Sequence, residues 1–276
     1  ECMFYQSSTT RVVSTNIVSN SPVDLAFPFS NATTTVEIGT ADSGSPAKVV
    51  GNGTPSSVTN NVPYGTFCML PYPLNDNNYF ACVGSFPPAP TGPYLCGVLY
   101  FDGATGSATT YYNFTDVHVN QGGNCLVDDL VITGNSTHNT AIYATDLNSF
   151  QIYKFDLINN TASVINSDIS LLCSTPDPSN CTGYPQVQGP NGIALFTDSR
   201  GTQHLIIAIS TASYGFVKMS LDGTTAAKAT PGLNTPPSIT SFTIYGIAIS
   251  GSVFYSVIYA STSYPSDYYT HYNILT

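Results

Sequence analysis

Charged residues are scarce in this chain. They make up 8% of the 276 residues, with 6 Lys and Arg against 16 Asp and Glu, and the formal net charge is −10. Ordinary soluble proteins contain roughly a quarter of charged residues. Because so few cations cannot form a basic patch, we expect no nucleic-acid partner and no binding to anionic membrane surfaces.

Several signatures of membrane proteins and enzymes are also missing. The longest apolar runs fall short of the roughly 18 residues that a spanning helix needs, so the sequence predicts no membrane span. It contains no Gly-x-Ser-x-Gly elbow, no phosphate-binding glycine loop and no His pair at metal-ligand spacing. The chain begins at Glu1 without an apolar leader, and we expect a mature product whose signal peptide has been removed.

Cysteine is present, but never in the CxxC spacing typical of zinc and thioredoxin-like motifs. Cys173 and Cys181 bracket a polar loop, and Cys82 and Cys96 flank a proline-rich hairpin. The sequence therefore predicts the disulfides Cys173–Cys181 and Cys82–Cys96. The total of 7 cysteines is odd, which leaves at least one thiol or an intermolecular bridge. Disulfides indicate an oxidising, extracellular compartment.

The chain carries six N-x-S/T sequons. Two of them fall at predicted hairpin tips, where an acceptor asparagine is exposed. Together with the scarce charge and the cysteines, this placement predicts a secreted, N-glycosylated protein. The six acceptors are Asn31, Asn52, Asn113, Asn135, Asn159 and Asn180.

Short strand-like segments form a recurring pattern, which stands out at residues 126–157, 190–223 and 245–259. Apolar and polar residues alternate within each segment, and glycine or proline follows. No long helix is predicted. A short antiparallel sheet that returns every roughly 40–65 residues indicates an all-β chain of the β-propeller class.

The first strands of the repeats align on one position. The alignment predicts a single β-propeller domain over residues 1–276, with five or six four-stranded blades and an irregular, Cys-bearing insertion at 166–188. We expect the N-terminal strands at 2–15 to close the ring by completing the last blade. The aligned residues are Asp24, Gly65, Asp129, Gly192 and Gly246.

Two of these segments resemble known propeller families. The Pro-Asn-Gly strand at 189–196 is similar to the inner strand of gluconolactonase/senescence-marker-type and strictosidine-synthase-like propellers. The segment 126–132, followed by the Tyr-x-Thr-Asp strand at 142–146, resembles their next recurring pattern, and NHL-type propellers share it. The resemblance implies the propeller fold.

The same resemblance implies a candidate metal site. Metal-dependent members hold one divalent cation in the central funnel, and the motif carries this role over to Asn191, with Asp129 and Asp128 as further ligands. A set of oxygen ligands suits Ca²⁺. However, neighbouring residues of a strand face opposite sides, so Asp128 and Asp129 cannot both point at one ligand. Structural capping is the favoured role for this pair.

Function is best predicted from the surface. Nineteen Tyr and few charges make a surface that does little to discourage association. We expect a structural or adhesive extracellular module, without catalytic residues, that self-assembles through an unpaired blade edge and builds a filament. The alternatives are a Ca²⁺-dependent, lactonase-like hydrolase and a carbohydrate-binding propeller.

Overall fold

The computed structural model describes the backbone of part of the chain and the side chains of a smaller part. The backbone is described at residues 3–6, 11–14, 23–26, 35–37, 47–50, 57–58, 65–73, 75–84, 96–102, 107–119, 125–135, 137–175, 177–181, 188–210, 215–229, 241–250, 253–261 and 267–274. Side chains are described at residues 68–73, 78–84, 96–102, 108–119, 125–135, 137–175, 177, 179–181, 188–210, 215–228, 247 and 249.

The first half of the chain forms two sheets. The first has the order β1-β2-β3-β4 and is antiparallel. Its strands are β1 (Met3–Gln6), β2 (Arg11–Ser14), β3 (Val23–Ala26) and β4 (Thr35–Glu37). The second has the order β6-β5-β10-β9-β8-β7, with β5 and β10 parallel. Its strands are β5 (Ala47–Val50), β6 (Ser57–Val58), β7 (Gly65–Tyr72), β8 (Asn75–Gly84), β9 (Gly97–Asp102) and β10 (Ser107–Asn113).

Three further sheets follow, each with its strands in chain order. The third contains β11 (Val127–Gly134), β12 (Asn139–Asp146), β13 (Gln151–Asp156) and β14 (Thr161–Asn166). The fourth contains β15 (Pro190–Thr197), β16 (Gln203–Ile209), β17 (Phe216–Ser220) and β18 (Ala226–Ala229). The fifth contains β19 (Ser241–Ser250), β20 (Val253–Ser261) and β21 (Asp267–Ile274).

Helical structure is slight in the described residues. The helix α1 (Ile169–Leu172) and a 3₁₀ turn at Pro178–Asn180 both lie within the Cys-bearing segment between the third and fourth sheets. Asp168 caps α1 by accepting the amide of Ser170. No helix among the described residues is long and apolar enough to cross a membrane. The predicted all-β class is therefore confirmed.

The repeat alignment predicts most first strands and fails at one. Gly65, Asp129, Gly192 and Gly246 lie in β7, β11, β15 and β19, the first strands in chain order of the runs β7–β10, β11–β14, β15–β18 and β19–β21. Asp24 instead lies in β3, the third strand of its sheet. The reason is that β2 pairs with β3, so the N-terminal hairpin belongs to the first sheet. The expectation that this hairpin completes the last blade is wrong for β1 and β2. The number of blades and ring closure stay predictions.

The chain divides into two compact units, each with its own core. The first comprises Glu1–Val119, Asn124–Tyr143 and Lys154–Ser163, and the second comprises Asn120–Gly123, Ala144–Tyr153 and Val164–Thr276. Large apolar side chains are fully buried in both, because strands alternate inward and outward residues. In the first unit they include Tyr79, Phe80, Phe101, Phe114 and Phe155, and in the second Phe150, Ile152, Leu172 and Leu205. The single-domain reading of the whole chain stays a prediction.

Two disulfides are present among the described cysteines. Cys173 is joined to Cys181, the pair that the sequence predicts. Cys96 is joined to Cys125, so the predicted Cys82–Cys96 bridge is wrong, and Cys82 carries a buried thiol. Cys125 lies two residues before β11, and the isolated bridge between Gly84 and Leu126 draws this segment onto the end of β8. A partner 29 residues away in sequence is brought to Cys96 by sheet packing.

Gly223 is predicted to be essential at its turn. Its φ is +73°, and a Cβ there would overlap the carbonyl oxygen of Ile165. Gly201 has a similar φ of +81° with open space around it, which makes it a matched control. Urea denaturation should show that Gly223→Ala lowers the free energy of unfolding by roughly 3 kcal/mol and Gly201→Ala by about 1 kcal/mol. Equal losses would show that the close approach to Ile165 does not matter.

Candidate functional site

Six described aspartates share one local geometry. Each follows or ends a strand or precedes a turn, and its Oδ1 atom accepts the backbone amide two residues further along, with N···O distances of 2.9–3.1 Å. A short carboxylate that bonds its own backbone in this way closes a turn or the first turn of a helix, and it satisfies an amide that the strand ladder or the helix leaves without a backbone acceptor. The six aspartates are Asp146, Asp156, Asp168, Asp177, Asp198 and Asp222.

Asp146 is the most buried of the six. Its Oδ1 accepts the amides of Asn148 and Ser149 at 3.0 Å each, and its Oδ2 accepts the hydroxyl of Tyr153 at 2.8 Å. The carboxylate is fully buried, as is Tyr153. A buried charge is tolerated only where hydrogen bonds replace its hydration. Asp146 therefore ties the β12–β13 turn to the core of the second unit.

Asn191, the main predicted metal ligand, is buried in the second unit. Its Nδ2 donates to the hydroxyl of Ser210 at 3.2 Å, and its backbone carbonyl accepts the hydroxyl of Thr145. A register shift between Pro190 and Ile193 marks this position in β15. Asn191 thus fastens an irregular strand to its neighbours. These contacts agree with a structural role for the residue.

Asp128 and Asp129 lie on β11 in the first unit, whereas Asn191 belongs to the second. Asp128 is buried, and Asp129 is half-buried. Oδ1 of Asp129 accepts the amide of Leu130 at 2.8 Å and the thiol of Cys68 at 2.7 Å. Among the described His, Cys, Asp and Glu residues, neither aspartate belongs to a cluster of three metal-ligating groups. The contacts of Asp129 agree with a structural role.

A group of potential metal ligands does occur in the first unit. The sulfurs of Cys96 and Cys125 and one ring nitrogen of His118 lie within 4.8 Å of one another. Both sulfurs, however, are joined in the disulfide. Cysteine sulfur binds a metal as the thiolate, so this group does not form a cation site while the bridge is intact.

Four of the six sequon asparagines are in the described part of the chain. Asn135, Asn159 and Asn180 are exposed, and Asn113 is half-exposed. Asn31 and Asn52 lie outside the described residues. Exposure meets the first requirement of a glycan acceptor, which is access for a transferase.

Two sequons differ in what their acceptor amides contact. In the sequon of Asn135, the Oδ1 atom accepts both the amide and the hydroxyl of Thr137, at 2.9 and 2.8 Å. In the sequon of Asn159, the Nδ2 atom donates to Asp156 at 2.9 Å. The bonds at Asn135 thus involve its side-chain oxygen, whereas at Asn159 the side-chain nitrogen, the atom to which an N-glycan is attached, is bonded to Asp156.

A half-exposed aromatic face lies on the second sheet. Tyr72 and Tyr100 meet edge to face with ring centroids 5.6 Å apart, and Phe80 packs beneath them at 5.8 and 5.1 Å. The amide of Asn78 donates to the Tyr100 hydroxyl at 2.7 Å. Burial raises the pKa of Tyr100, and it raises that of Tyr112 to about 12, so both stay protonated at neutral pH. Rings beside an amide are suited to protein or sugar contacts.

Comparison with known proteins supports the fold. No protein-family model matches the chain, and no curated protein matches it significantly. Solved structures match it over most of its length at low identity. A crystal structure of a nidogen/laminin complex is 11% identical with a TM-score of 0.50, covering 95% of this chain and 74% of that chain.

Two further structures match. A protein of unknown function from Bacteroides thetaiotaomicron VPI-5482 is 10% identical with a TM-score of 0.51; the match covers 94% of this chain and 54% of that one, about half its length. A gluconolactonase-family structure is 11% identical with a TM-score of 0.49, covering 100% and 77%. Identities this low show the fold alone, and at that level the chain resembles β-propellers, as the sequence predicts.

Asp146 is predicted to be a major stabilising residue of the second unit. Asp146→Ala removes the carboxylate that accepts two buried amides and the Tyr153 hydroxyl, and we expect a loss of roughly 3 kcal/mol in the free energy of unfolding. Tyr153→Phe removes only one of these bonds and should cost about 1 kcal/mol. Urea denaturation measures both. A loss below about 0.5 kcal/mol for Asp146→Ala would contradict the role of the carboxylate.

Asp222 is predicted to titrate at unusually low pH. Hydrogen bonds from the Ser220 hydroxyl and from the amide and hydroxyl of Thr224 lower its pKa from 3.8 to about 2. Because the folded pKa is depressed, the contribution of the ionised group to stability is present above pH 3.8 and is lost as the pH falls toward 2.

The midpoint can be read from the carboxyl ¹³C shift of Asp222 by NMR. We expect Ser220→Ala to raise the midpoint toward 3.8, since it removes the largest cause of the shift. Ser163→Ala, an exposed hydroxyl on β14, should leave it in place. A midpoint near 3.8 in the unsubstituted chain would contradict the prediction.

Proposed function

We propose that this chain is a secreted, N-glycosylated β-propeller that acts as a structural or adhesive extracellular module and self-assembles. The observation that carries the proposal is the shared geometry of the six aspartates, each of which holds its own turn. Six of the 16 acidic residues of the chain therefore serve to hold the backbone. Catalysis needs such groups to be poised toward a substrate instead.

The exposed sequons support the extracellular part of the proposal. Asn135 lies beside the tight turn that joins β11 to β12, and Asn159 lies in the turn that joins β13 to β14. Turns between strands project from the sheet, so a glycan attached there is accommodated without disturbing the core. Two disulfides agree with an oxidising compartment.

The fifth sheet supports self-assembly. The fourth and third sheets have four strands each, whereas the fifth contains three among the described residues, with β21 at its outer edge. A strand edge offers amide and carbonyl groups to a further strand. Addition of a strand from another copy is a heterologous contact, and repeated heterologous contacts that do not close produce a filament.

Glycan mapping tests the secretory part of the proposal. We expect mass spectrometry of the protein from a glycosylating, secreting host to find glycans at Asn135 and Asn159, with higher occupancy at Asn135. Asn135→Gln should remove only the glycan at its own position. Secretion of a folded chain with both positions unmodified would contradict the proposal.

Electron microscopy tests assembly. We expect the secreted chain to form filaments, and we expect the double substitution Tyr268→Lys and Tyr272→Lys in β21 to leave particles of single-chain size, because charge on an edge strand opposes strand addition. As a control, Ser163→Lys adds one positive charge to β14, the outer strand of a four-stranded sheet, and should leave filaments intact. Single-chain particles from the unsubstituted protein at all concentrations would overturn self-assembly.

Calcium titration distinguishes this proposal from a metal-dependent hydrolase. Because the side-chain nitrogen of Asn191 donates to Ser210 and its backbone carbonyl accepts from Thr145, the residue is fixed in the core. We therefore expect isothermal titration calorimetry to detect no Ca²⁺ binding that depends on Asn191. The comparison uses the unsubstituted chain, Asn191→Ala and the surface control Asn135→Ala. Binding that is present in the first and lost only in Asn191→Ala would favour the hydrolase.

A further inference from the structure

Two buried cysteines face each other across neighbouring strands of the first unit. The β7–β8 ladder pairs Met69 with Ala81, and its register shifts between Met69 and Thr66. Two residues of β7, at positions 67 and 68, therefore stand opposite one residue of β8, Cys82. This bulge brings Cys68 beside Cys82.

Both cysteines project from the same side of the ladder. Leu70 pairs with Phe80, so these two side chains share a face. Cys68 is two residues from Leu70, and Cys82 is two residues from Phe80. Because side chains alternate along a strand, the two cysteines share the face of Leu70 and Phe80. Both are buried, at 3% and 0% exposure.

The spacing of opposed residues is close to that of a disulfide. Residues directly opposite in an antiparallel pair have Cβ atoms about 4.5–5.5 Å apart. Disulfides have Cβ atoms about 3.5–4.5 Å apart. A small local adjustment, which a bulge accommodates more easily than a regular ladder, therefore brings Cys68 and Cys82 into bonding range.

We propose that Cys68 and Cys82 form a third disulfide that exchanges with a thiol state tied to Asp129. In the thiol state, the Cys68 thiol donates to Oδ1 of Asp129 at 2.7 Å and links β7 to β11. In the disulfide state, Cys68 turns to Cys82 and links β7 to β8, while Asp129 keeps the amide of Leu130. The redox state thus determines whether Cys68 links β7 to β11 or to β8.

The oxidant is a protein or small molecule that carries an exchangeable disulfide. The Cys82 thiolate attacks one sulfur of that disulfide, the oxidant's S–S bond breaks, and a mixed disulfide forms. Cys68 then gives its proton to solvent and attacks the Cys82 sulfur, and the second oxidant thiolate leaves. The two cysteines together lose two electrons and two protons, and the oxidant is reduced to two thiols.

Burial determines when this exchange takes place. Both thiols are covered in the folded chain, so an oxidant reaches them before β8 closes on β7 or during local opening. The proposal needs an oxidising compartment but not self-assembly. With Cys96–Cys125 and Cys173–Cys181 formed, the third bridge accounts for six of the 7 cysteines and leaves Cys2.

Peptide mapping tests the bridge. The full chain, secreted and never reduced, is unfolded with N-ethylmaleimide present, digested and analysed by mass spectrometry. We expect a peptide pair joined through Cys68 and Cys82 and alkylation at Cys2 alone. Alkylation of both Cys68 and Cys82, or a bridge from Cys2 to either of them, would overturn the proposal. Glycan occupancy in the same digest reports separately on the secretory route.

Three substitutions check the exchange between states. Cys68→Ser should make Cys82 the one additional alkylated residue, and Cys82→Ser should do the same for Cys68. Asp129→Asn should lower the midpoint of urea unfolding in protein treated with dithiothreitol by more than it does in untreated protein, because the carboxylate contacts Cys68 only in the thiol state. Equal shifts in both would contradict the change of tether. If a cysteine variant fails to fold, the peptide map of the unsubstituted chain decides alone.

Discussion

The carboxylate that bonds the turn after its own strand is the interaction on which the described structure depends. A chain made of short strands must reverse direction many times, and every reversal leaves backbone amides outside the ladder. In four of the described turns between strands, an aspartate accepts the amide two residues on. At Asp146 the same device works inside the core, where Tyr153 adds a third bond. Turn geometry then sets where each following strand begins.

Several of the few charged residues have a structural role in this chain. Acidic residues that close turns are spread along the chain, and among the described residues no three of them lie close enough together to share one metal ion. Oδ2 of Asp198 also lies 3.1 Å from Nε2 of His204, and this contact lowers the pKa of the Asp198 carboxyl. The resemblance to metal-dependent propellers nominates Asn191, yet its amide fastens β15 to Ser210. Metal binding by Asn191 stays a prediction.

Sequence reasoning succeeds where the evidence is local and fails where it is not. Alternation and turn residues locate β11, β12, β13 and β15 to β17, because each strand has its own periodicity. Asp24 is misplaced, since β3 has the same pattern as a first strand and only its pairing with β2 tells them apart. Cys173 and Cys181 are close in sequence, so their pairing is readable. Cys125 is missed because packing at the end of β8 brings it to Cys96.

The sequence by itself determined the all-β class, the repeated sheets and the exposed sequons at Asn135 and Asn159, because all of these follow from residues within a few positions of each other. Only the tertiary structure decided the sheet of the N-terminal hairpin, the partner of Cys96, and the contact between Cys68 and Asp129. These depend on which strands lie side by side. Many pairings of similar strands satisfy the same alternation, and the packing of whole sheets selects among them.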